Sequence, residues 1–205
     1  MAMKKKFKPF NRVVGLDLNL KNNFATLSNG YVLKYPVIFK PILHFVKIIL
    51  RYLKSQNITD VVIEDLIFSE SNVNKYIDYS KLIFLSDFKN LFKSSAEIEG
   101  IRVHITPSCY TSITCPKCGF ISKDNRKTQK IFKCKQCGYK CNADLNASRN
   151  LELRYTVDFL KNSLHNIDKN GRLIPKKLTT PQIKEILILS NFNKSLTLER
   201  LTSSE

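Results

Sequence analysis

The chain has 205 residues and a formal net charge of +17, from 34 Lys and Arg against 17 Asp and Glu. A hydrophobic fraction of 43% supplies enough apolar side chains for a packed core, which excludes a globally disordered chain. No apolar run reaches the roughly 20 residues of a membrane span, and no apolar signal core follows the basic N-terminus. These properties favour a cytoplasmic protein, nucleoid-associated or in a host-cell cytosol, that binds nucleic acid and not a membrane.

Most of the positive charge lies in two segments. Residues 1–12 carry five basic residues and no acid, and residues 109–141 carry eight basic residues against Asp124 alone. These 45 residues therefore hold +12 of the +17. We expect both segments to contact nucleic-acid phosphates, through Lys4, Lys5, Lys6, Lys123, Arg126, Lys127 and Lys130.

The first third of the chain predicts a sheet covered by a helix. Strand-like patterns joined by short turns, one of them the strong hairpin signal Asn29-Gly30, predict an antiparallel meander over residues 12–18, 23–28 and 31–35. Residues 39–55 then place apolar side chains on one helical face and basic ones on the other. A helix packed on the sheet is favoured over a membrane-surface helix, because an apolar strand at 59–64 follows at once.

The rest of the chain alternates helix and strand. The pattern predicts a loop at 70–79, a helix at 81–97, a strand at 101–106, a helix at 143–160 with Asn142 as its N-cap, and a short helix at 182–190. The order β-β-β-α-β-α-β-insert-α is that of an RNase H-like α/β domain with a mixed sheet. We expect a nuclease-like domain split into residues 1–108 and 142–160, an insert over 109–141, and a C-terminal tail over 161–205 with no assigned role.

Two Cys-x-x-Cys pairs, 15 residues apart and each followed by Gly, dominate the insert; they comprise Cys115, Cys118, Cys134 and Cys137. This spacing is typical of a structural four-cysteine zinc site, and disulfides are disfavoured in the cytosol. Two further cysteines are expected to be buried thiols. They are Cys109 and Cys141. Cys141 lies close enough in the chain to replace Cys137 as a ligand.

Three acids stand at positions that the predicted fold would bring together. Asp17 ends the first strand, Glu64 ends the fourth, and Asp144 lies in the first turn of the helix after the insert. Converged carboxylates are suited to Mg²⁺ or Mn²⁺, which prefer hard oxygen ligands. Taken singly, Asp144 is also explained by the helix dipole and Glu64 by a strand that ends in solvent. Asp17 lies in an apolar run, where a carboxylate needs a partner.

Five stretches of the chain resemble, in order, the C-terminal nuclease half of the TnpB family. These transposon-encoded proteins are also called OrfB transposases and are related to the type V CRISPR effector nucleases. The matching stretches are VVGLDLNLKNNFATLSNG, VVIEDL, CYTSITCPKCGF, NRKTQKIFKCKQCGY and NADLNASRNL, which span residues 13–151. The resemblance implies a RuvC-like fold that a zinc ribbon interrupts just before the last acid.

The resemblance also implies roles for the singled-out residues. Asp17, Glu64 and Asp144 would be the catalytic acids that bind Mg²⁺ or Mn²⁺, and the four paired cysteines would hold Zn²⁺. The substrate would be DNA, cut under the guidance of an RNA. The family's N-terminal lobe, which binds the guide RNA, has no counterpart in the roughly 12 residues before the first strand. A separate guide-binding subunit or a homodimer is therefore the expected partner of a guided enzyme.

The predicted function is that of a metal-dependent DNA endonuclease of the RuvC/TnpB type, which cleaves phosphodiester bonds by a two-metal mechanism. Two alternatives stay open: a non-catalytic nucleic-acid-binding protein derived from a transposase fragment, and a branched-DNA resolvase. The sequence has no P-loop, nucleophile elbow or paired-His zinc motif, so other common enzyme classes find no support. His104 is expected to end the fifth strand near the three acids.

Overall fold

The computed structural model describes residues 12–19, 23–34, 41–65, 79–128 and 130–202, and over 79–83 and 192–202 it describes the backbone alone. The predicted phosphate contacts Lys4, Lys5 and Lys6 lie outside the described residues, as does most of the predicted loop at 70–79.

A five-stranded mixed sheet forms the centre of the fold. Its strands are β1 (Val13–Leu18), β2 (Asn23–Leu27), β3 (Val32–Lys34), β4 (Asp60–Asp65) and β5 (Arg102–Pro107). They lie in the order β3-β2-β1-β4-β5, in which β1 to β3 are antiparallel and β4 and β5 are added in parallel. The chain turns between β2 and β3 at Gly30, whose φ of 95° is one that glycine adopts without strain. The predicted meander and mixed sheet are confirmed.

One face of the sheet is apolar and carries two helices, α1 (Ile42–Ser55) and α2 (Tyr79–Ile98). The buried side chains of α1 pack with those of α2 and of alternate strand residues in one hydrophobic core. The predicted amphipathic helix thus has its apolar face in the protein core, and the membrane-surface alternative is wrong. Among the described helices, none is long and apolar enough to cross a membrane.

The opposite face of the sheet receives α3 (Ala143–Thr156), which crosses β1 closely. Gly15 permits this approach, because a Cβ at this position would overlap the backbone oxygen of Ser148 and lie 2.7 Å from the backbone nitrogen of Glu152. Asp17 is two residues beyond Gly15 and therefore on the same side of the strand. Asp144 precedes Ser148 by about one helical turn. The close crossing of strand and helix therefore directs both acids to the same end of the sheet.

The insert between β5 and α3 contains short elements around the four cysteines. A 3₁₀ turn spans Lys123–Asn125, and an antiparallel pair is formed by β6 (Ile131–Lys133) and β7 (Lys140–Asn142). The insert leads directly into α3, whose N-cap is Asn142, as predicted. Its side-chain oxygen accepts hydrogen bonds from the backbone nitrogens of Asp144 at 2.8 Å and Leu145 at 3.1 Å.

The C-terminal part differs from the prediction in two ways. The helix expected over 143–160 ends at Thr156, because Val157 has an extended backbone, and a separate helix α4 follows over Asp158–Leu164. The short helix expected at 182–190 is longer, and spans Thr180–Thr202 as α5. Between α4 and α5 lies a hairpin of β8 (His165–Ile167) and β9 (Leu173–Pro175). Helices α4 and α5 share a small hydrophobic core, so residues 158–191 are a packed unit.

His104 connects this unit to the sheet, and its expected place at the end of the fifth strand beside the acids is wrong. It lies in the middle of β5 and is fully buried. Its Nδ1 accepts a hydrogen bond from the backbone nitrogen of Leu173 at 3.0 Å. Nε2 therefore carries the proton and donates to Asp60 Oδ1 at 2.8 Å. The ring holds the hairpin against β5 and has no described hydrogen bond to the three acids.

Candidate active site and metal centre

Asp17 and Glu64 approach each other because they lie on adjacent parallel strands. In the register of β1 and β4, Leu16 pairs with Ile63, so the following residue of each strand is an acid at the same edge of the sheet. Asp144 is added from the first turn of α3. The three candidate acids are thus brought to one edge by three different elements.

The electrostatics of Asp17 show how close the three acids are. Its side chain is 9% exposed. Burial raises the pKa of Asp17 well above its usual range, and the negative charges of Glu64 and Asp144 raise it further, whereas Arg126 lowers it. Each of these charges must lie nearby to have this effect. In the absence of a cation, the site is therefore an unfavourable concentration of negative charge.

Asp144 is held by two amides from the sheet. Asn19 Nδ2 donates to Asp144 Oδ1 at 2.9 Å, and Asn23 Nδ2 donates to Asp144 Oδ2 at 3.2 Å. The carboxylate is only 3% exposed. Because each oxygen of the Asp144 carboxylate accepts a bond from its own donor, the carboxylate is fixed in one orientation at the C-terminal end of β1.

Glu64 has a hydroxyl and three cations, those of Arg154, Arg126 and Lys89, around it. Thr111 Oγ1 donates to Glu64 Oε1 at 2.7 Å. Burial raises the pKa of Glu64, and the Thr111 hydrogen bond and the charges of Arg154 and Arg126 work in the opposite direction. Arg154 is itself buried and donates to the backbone oxygens of Pro107 and Cys109. Its burial lowers the pKa of Arg154 to about 10.

The residues at this edge fit a divalent cation. They offer hard carboxylate oxygens whose mutual repulsion a cation would relieve. Thr26 pairs with Asp17 across the strands, and its buried hydroxyl is without a hydrogen-bond partner among the residues that the structure describes. A cation-bound water would satisfy such a group. The three acids are nevertheless more widely spread than the cysteines, since their ligand atoms do not all lie within 4.8 Å of one another.

The four cysteines of the insert form a second candidate metal centre. All four sulfur atoms lie within 4.8 Å of one another, with 3.7 Å between those of Cys115 and Cys137 and 3.5 Å between those of Cys118 and Cys134. A disulfide would need about 2.05 Å. Four sulfurs at about 2.3 Å from a tetrahedral Zn²⁺ lie about 3.8 Å apart. The distances therefore fit a zinc site and not a disulfide pair.

The backbone around the cysteines suits thiolate ligands. Gly119 and Gly138 follow the two pairs with φ of 74° and 72°, so each chain segment folds back under its sulfurs. The backbone hydrogen bond from Tyr139 lowers the pKa of Cys137 to about 7, whereas burial raises the pKa of Cys115. A bound Zn²⁺ would have to displace the proton of the buried thiol.

The two other cysteines lie apart from this cluster. Cys141 Sγ is 3.9 Å from Asn146 Oδ1, to which it donates, and Cys109 Sγ is 3.8 Å from Thr180 Oγ1. The ligand exchange between Cys141 and Cys137 that the sequence left open therefore has no support in the geometry.

Of the predicted phosphate contacts that the structure describes, three are exposed and one is not. Lys123, Lys127 and Lys130 are exposed on the insert, whereas Arg126 is half-buried. Arg126 is close enough to lower the pKa values of both Asp17 and Glu64. The basic insert and the acidic edge of the sheet are therefore neighbours.

Four residues around the acids were missed by the sequence analysis: Asn19, Asn23, Thr111 and Arg154. Three of them bond to an acid that is distant in the chain, for example 125 residues away for Asn19 and 47 for Thr111, and the charge of Arg154 lowers the pKa of Glu64. The one available signal was the position of Asn19 and Asn23 on either side of the turn after Asp17.

The chain is similar to several known proteins. Residues 86–151 match the family model "Cas12f1-like, TNB domain". This part of the chain is therefore similar to that domain. That match covers the end of α2, β5, the cysteine insert and the first part of α3.

The chain is also similar to two relatives and to one solved structure. Over 58 residues the chain is 50% identical to a CRISPR-associated endodeoxyribonuclease Cas12f1 of Sulfoacidibacillus thermotolerans, covering 28% of this chain and 14% of the relative. Over 52 residues it is 46% identical to the "Putative RNA-guided DNA endonuclease InsQ" of Escherichia coli K12, covering 25% of this chain and 13% of that relative. A Cas12f1–sgRNA–target DNA complex superimposes with a TM-score of 0.51 at 19% identity, covering 68% of this chain and 48% of that one.

These matches confirm the resemblance to TnpB and Cas12f proteins. The structure confirms the predicted α/β class with its mixed sheet and its four-cysteine cluster. The aligned parts span 14% and 13% of the two relatives and about half of the solved chain. What the whole relatives do is therefore a basis for proposals about this chain.

Proposed function

We propose that this chain is a metal-dependent DNA endonuclease of the RuvC/TnpB type. The observation that carries the proposal is the convergence of Asp17, Glu64 and Asp144 at one sheet edge, where the acids repel one another. These carboxylates would hold Mg²⁺ or Mn²⁺, which when bound activate a water and stabilise the leaving oxygen in phosphodiester hydrolysis. The endonuclease names of the two relatives support this reaction class.

The protein's own groups would prepare this site in two ways. Asn19 and Asn23 orient the oxygens of Asp144, and Thr111 orients one oxygen of Glu64. Arg126 brings a positive charge to the edge of the acid site, where a substrate phosphate would lie. The exposed lysines beside it, Lys123, Lys127 and Lys130, would bind neighbouring phosphates, and Lys4, Lys5 and Lys6 would do the same from the N-terminal segment.

The proposal assigns a separate part to the insert. Residues 109–141 would form a zinc ribbon in which Cys115, Cys118, Cys134 and Cys137 bind one structural Zn²⁺. Residues 1–108 and 142–160 would form the nuclease domain. The predicted C-terminal tail, residues 161–205, would support the β5 edge of the sheet through the bonds of His104 and His165.

RNA guidance is the finer part of the proposal. It is supported by the name of the InsQ relative, an RNA-guided DNA endonuclease, and by the sgRNA and target DNA in the solved Cas12f1 complex. The guide would be bound together with a separate subunit or a second copy of the chain. Sequencing of the RNA that co-purifies with the protein tests this: one defined RNA species is expected, and a random RNA population would contradict guidance.

Cleavage assays test the nuclease proposal itself. Wild-type protein is incubated with single-stranded, duplex and branched DNA in Mg²⁺ or Mn²⁺. Asp17→Asn and Glu64→Gln are expected to lower the cleavage rate at least about a hundredfold, since each removes a ligand charge of the metal site. Asp87→Asn, which alters an exposed carboxylate on α2, is the matched control and should cut like wild type.

The outcomes separate the alternatives. Equal cutting by wild type and Asp17→Asn would contradict the proposed acids. DNA binding without any metal-dependent cutting would favour a non-catalytic nucleic-acid-binding protein. Cutting restricted to four-way junctions by a dimer would favour a branched-DNA resolvase.

A further inference from the structure

The segment that joins β5 to the cysteine cluster is bound by one face of α3. Three buried side chains at four-residue spacing on this helix, Asn146, Asn150 and Arg154, donate to its backbone oxygens. The amide of Asn150 donates to the oxygens of Thr111 and Thr114, both at 2.8 Å. Residues 107–114, called the linker segment below, are thereby fixed to the helix that carries Asp144.

Asn146 bonds to the same two oxygens, and Arg154 extends the contact to the start of the linker segment. Asn146 Nδ2 donates to the oxygens of Thr111 at 3.4 Å and Thr114 at 3.1 Å. Arg154 donates to the oxygens of Pro107 and Cys109. Because Thr114 directly precedes Cys115 and forms a bridge to Ile121, the segment is also continuous with the cysteine cluster.

Thr111 extends the contact from the linker segment to the sheet. Its side chain is 4% exposed, and its hydroxyl lies 2.7 Å from Glu64 Oε1 and 3.0 Å from the backbone oxygen of Ser108. The hydroxyl has one proton, and an ionised carboxylate is the stronger acceptor. The proton is therefore donated to Glu64, and this bond determines which way the carboxylate oxygen points.

We propose that Thr111 is a positioning residue that links the orientation of Glu64 to the folded cysteine ribbon and to α3. The inference rests on the proposed function, in which Glu64 is a metal ligand. The Thr111 hydroxyl then bonds to Glu64, and backbone oxygens of the linker segment accept bonds from the helix that carries Asp144. The linker segment continues directly into Cys115. Loss of the hydroxyl would leave Glu64 free to rotate while the ribbon and the sheet stay folded.

Divalent cation binding without DNA tests this inference. The affinity of the full zinc-loaded protein for Mn²⁺ is measured by titration calorimetry. Thr111→Val keeps the shape of the side chain and removes the hydroxyl, and should weaken Mn²⁺ binding about tenfold or more, as expected when a group that orients a metal ligand is removed. Thr111→Ser restores the hydroxyl and should bind Mn²⁺ within about threefold of wild type.

The matched control is Thr114→Val. Thr114 is buried in the same turn, and its hydroxyl donates to the backbone oxygen of Tyr110 at 2.7 Å and not to an acid. This variant should retain wild-type Mn²⁺ affinity even if its melting temperature falls. Zinc content and melting temperature, measured for every variant, establish that each protein is folded.

A double-mutant cycle identifies the partner of Thr111. In a Glu64→Gln background, Thr111→Val should weaken Mn²⁺ binding no further, because the oriented carboxylate is already absent. Wild-type affinity in Thr111→Val, or an equal loss in Thr114→Val, would overturn the role of Thr111 and leave the proposed function standing. Mn²⁺ binding that Asp17→Asn does not change would overturn the acid site itself.

Discussion

At the scale of single residues, an apolar neighbourhood distinguishes Asp17 from the other acids in the sequence. Its neighbours Leu16 and Leu18 and the strand pattern around it indicate burial, and a buried carboxylate needs a partner. Thr111 and Arg154 have no such signal, since threonine in a loop and arginine on a helix are ordinary. Their importance depends on contacts with Glu64 and with the backbone that only the folded chain creates.

His165 provides a prediction for the pH dependence of stability. It is buried, its Nδ1 donates to the backbone oxygen of Lys161 at 3.0 Å, and its Nε2 accepts from Thr106 Oγ1 at 2.8 Å. Burial lowers the pKa of His165 to about 4, against an ordinary value of 6.5. The unfolded chain thus binds the proton more readily than the folded one. The free energy of unfolding should therefore be intact above about pH 6.5 and fall toward pH 4, by up to about 3 kcal/mol.

Urea unfolding at several pH values measures this effect. His165→Gln should reduce the loss of stability between pH 6.5 and pH 4, although burial also lowers the pKa of His104 and adds a loss of the same sign. His44→Gln is the control, because His44 is exposed on α1. A His165→Gln protein with the wild-type pH profile would contradict the assignment.

At the scale of elements, periodicity predicted the long amphipathic helices well and the helix ends poorly. Helix α1 was recognised because its buried residues recur at helical spacing. The break at Val157 was missed, because the apolar pattern of α3 continues into α4 and the interruption depends on how each helix packs. Packing against the sheet, rather than local preference, decides where these helices stop.

Gly15 tests the packing of α3 on β1. Gly15→Ala adds a methyl group that would overlap the backbone of Ser148, so the helix must move away from the strand. We expect a loss of about 1–3 kcal/mol in the free energy of unfolding, together with reduced cleavage by the folded fraction, because Asp144 moves with the helix. Denaturant melts and cleavage rates measure the two effects.

Gly30→Ala is the control for this prediction. Gly30 lies in the β2–β3 turn with a positive φ, and an added Cβ there meets nothing within 4 Å. It should cost about 1–2 kcal/mol through backbone strain and leave the acids in place. If Gly15→Ala cleaves DNA as fast as Gly30→Ala per folded molecule, the close crossing does not position Asp144.

The cysteine cluster leads to a prediction for metal content. Cys115→Ser should lose zinc and the local fold of the insert, since the proposed zinc would hold together an element with few buried apolar residues. Cys141→Ser should keep one zinc per chain, because the Cys141 sulfur bonds to Asn146 outside the cluster. Elemental analysis measures the zinc, and full zinc in Cys115→Ser would contradict the proposed ligands.

At the scale of the whole molecule, charge is divided between two functions. The sheet edge concentrates carboxylates, and the neighbouring insert concentrates lysines and arginines. Under the proposed function, a polyanion would be held by the insert, and its phosphate would be accepted at the acid edge only together with divalent cations. This division favours the interpretation of the net charge as a nucleic-acid-binding property.

The salt dependence of DNA binding tests this division. The logarithm of the affinity should fall linearly with the logarithm of the salt concentration, by about 0.9 for each duplex phosphate neutralised. The double variant Lys123→Ala, Lys127→Ala should reduce that slope by about 2. The control, Lys47→Ala with Arg51→Ala, removes two exposed charges from α1 and should leave the slope unchanged. Equal slopes in all three proteins would exclude the insert as the phosphate-binding surface.

The sequence by itself determined the order of strands and helices through β5, the cysteine spacing, the charge clusters and the three candidate acids, because these are properties of local pattern and of short distances along the chain. The tertiary structure decided what surrounds each acid. Contacts such as those from Thr111 to Glu64 and from Asn19 to Asp144 join residues 47 and 125 positions apart. They depend on the crossing of α3 over Gly15 and on the register of β1 with β4, which side-chain packing determines and local pattern does not.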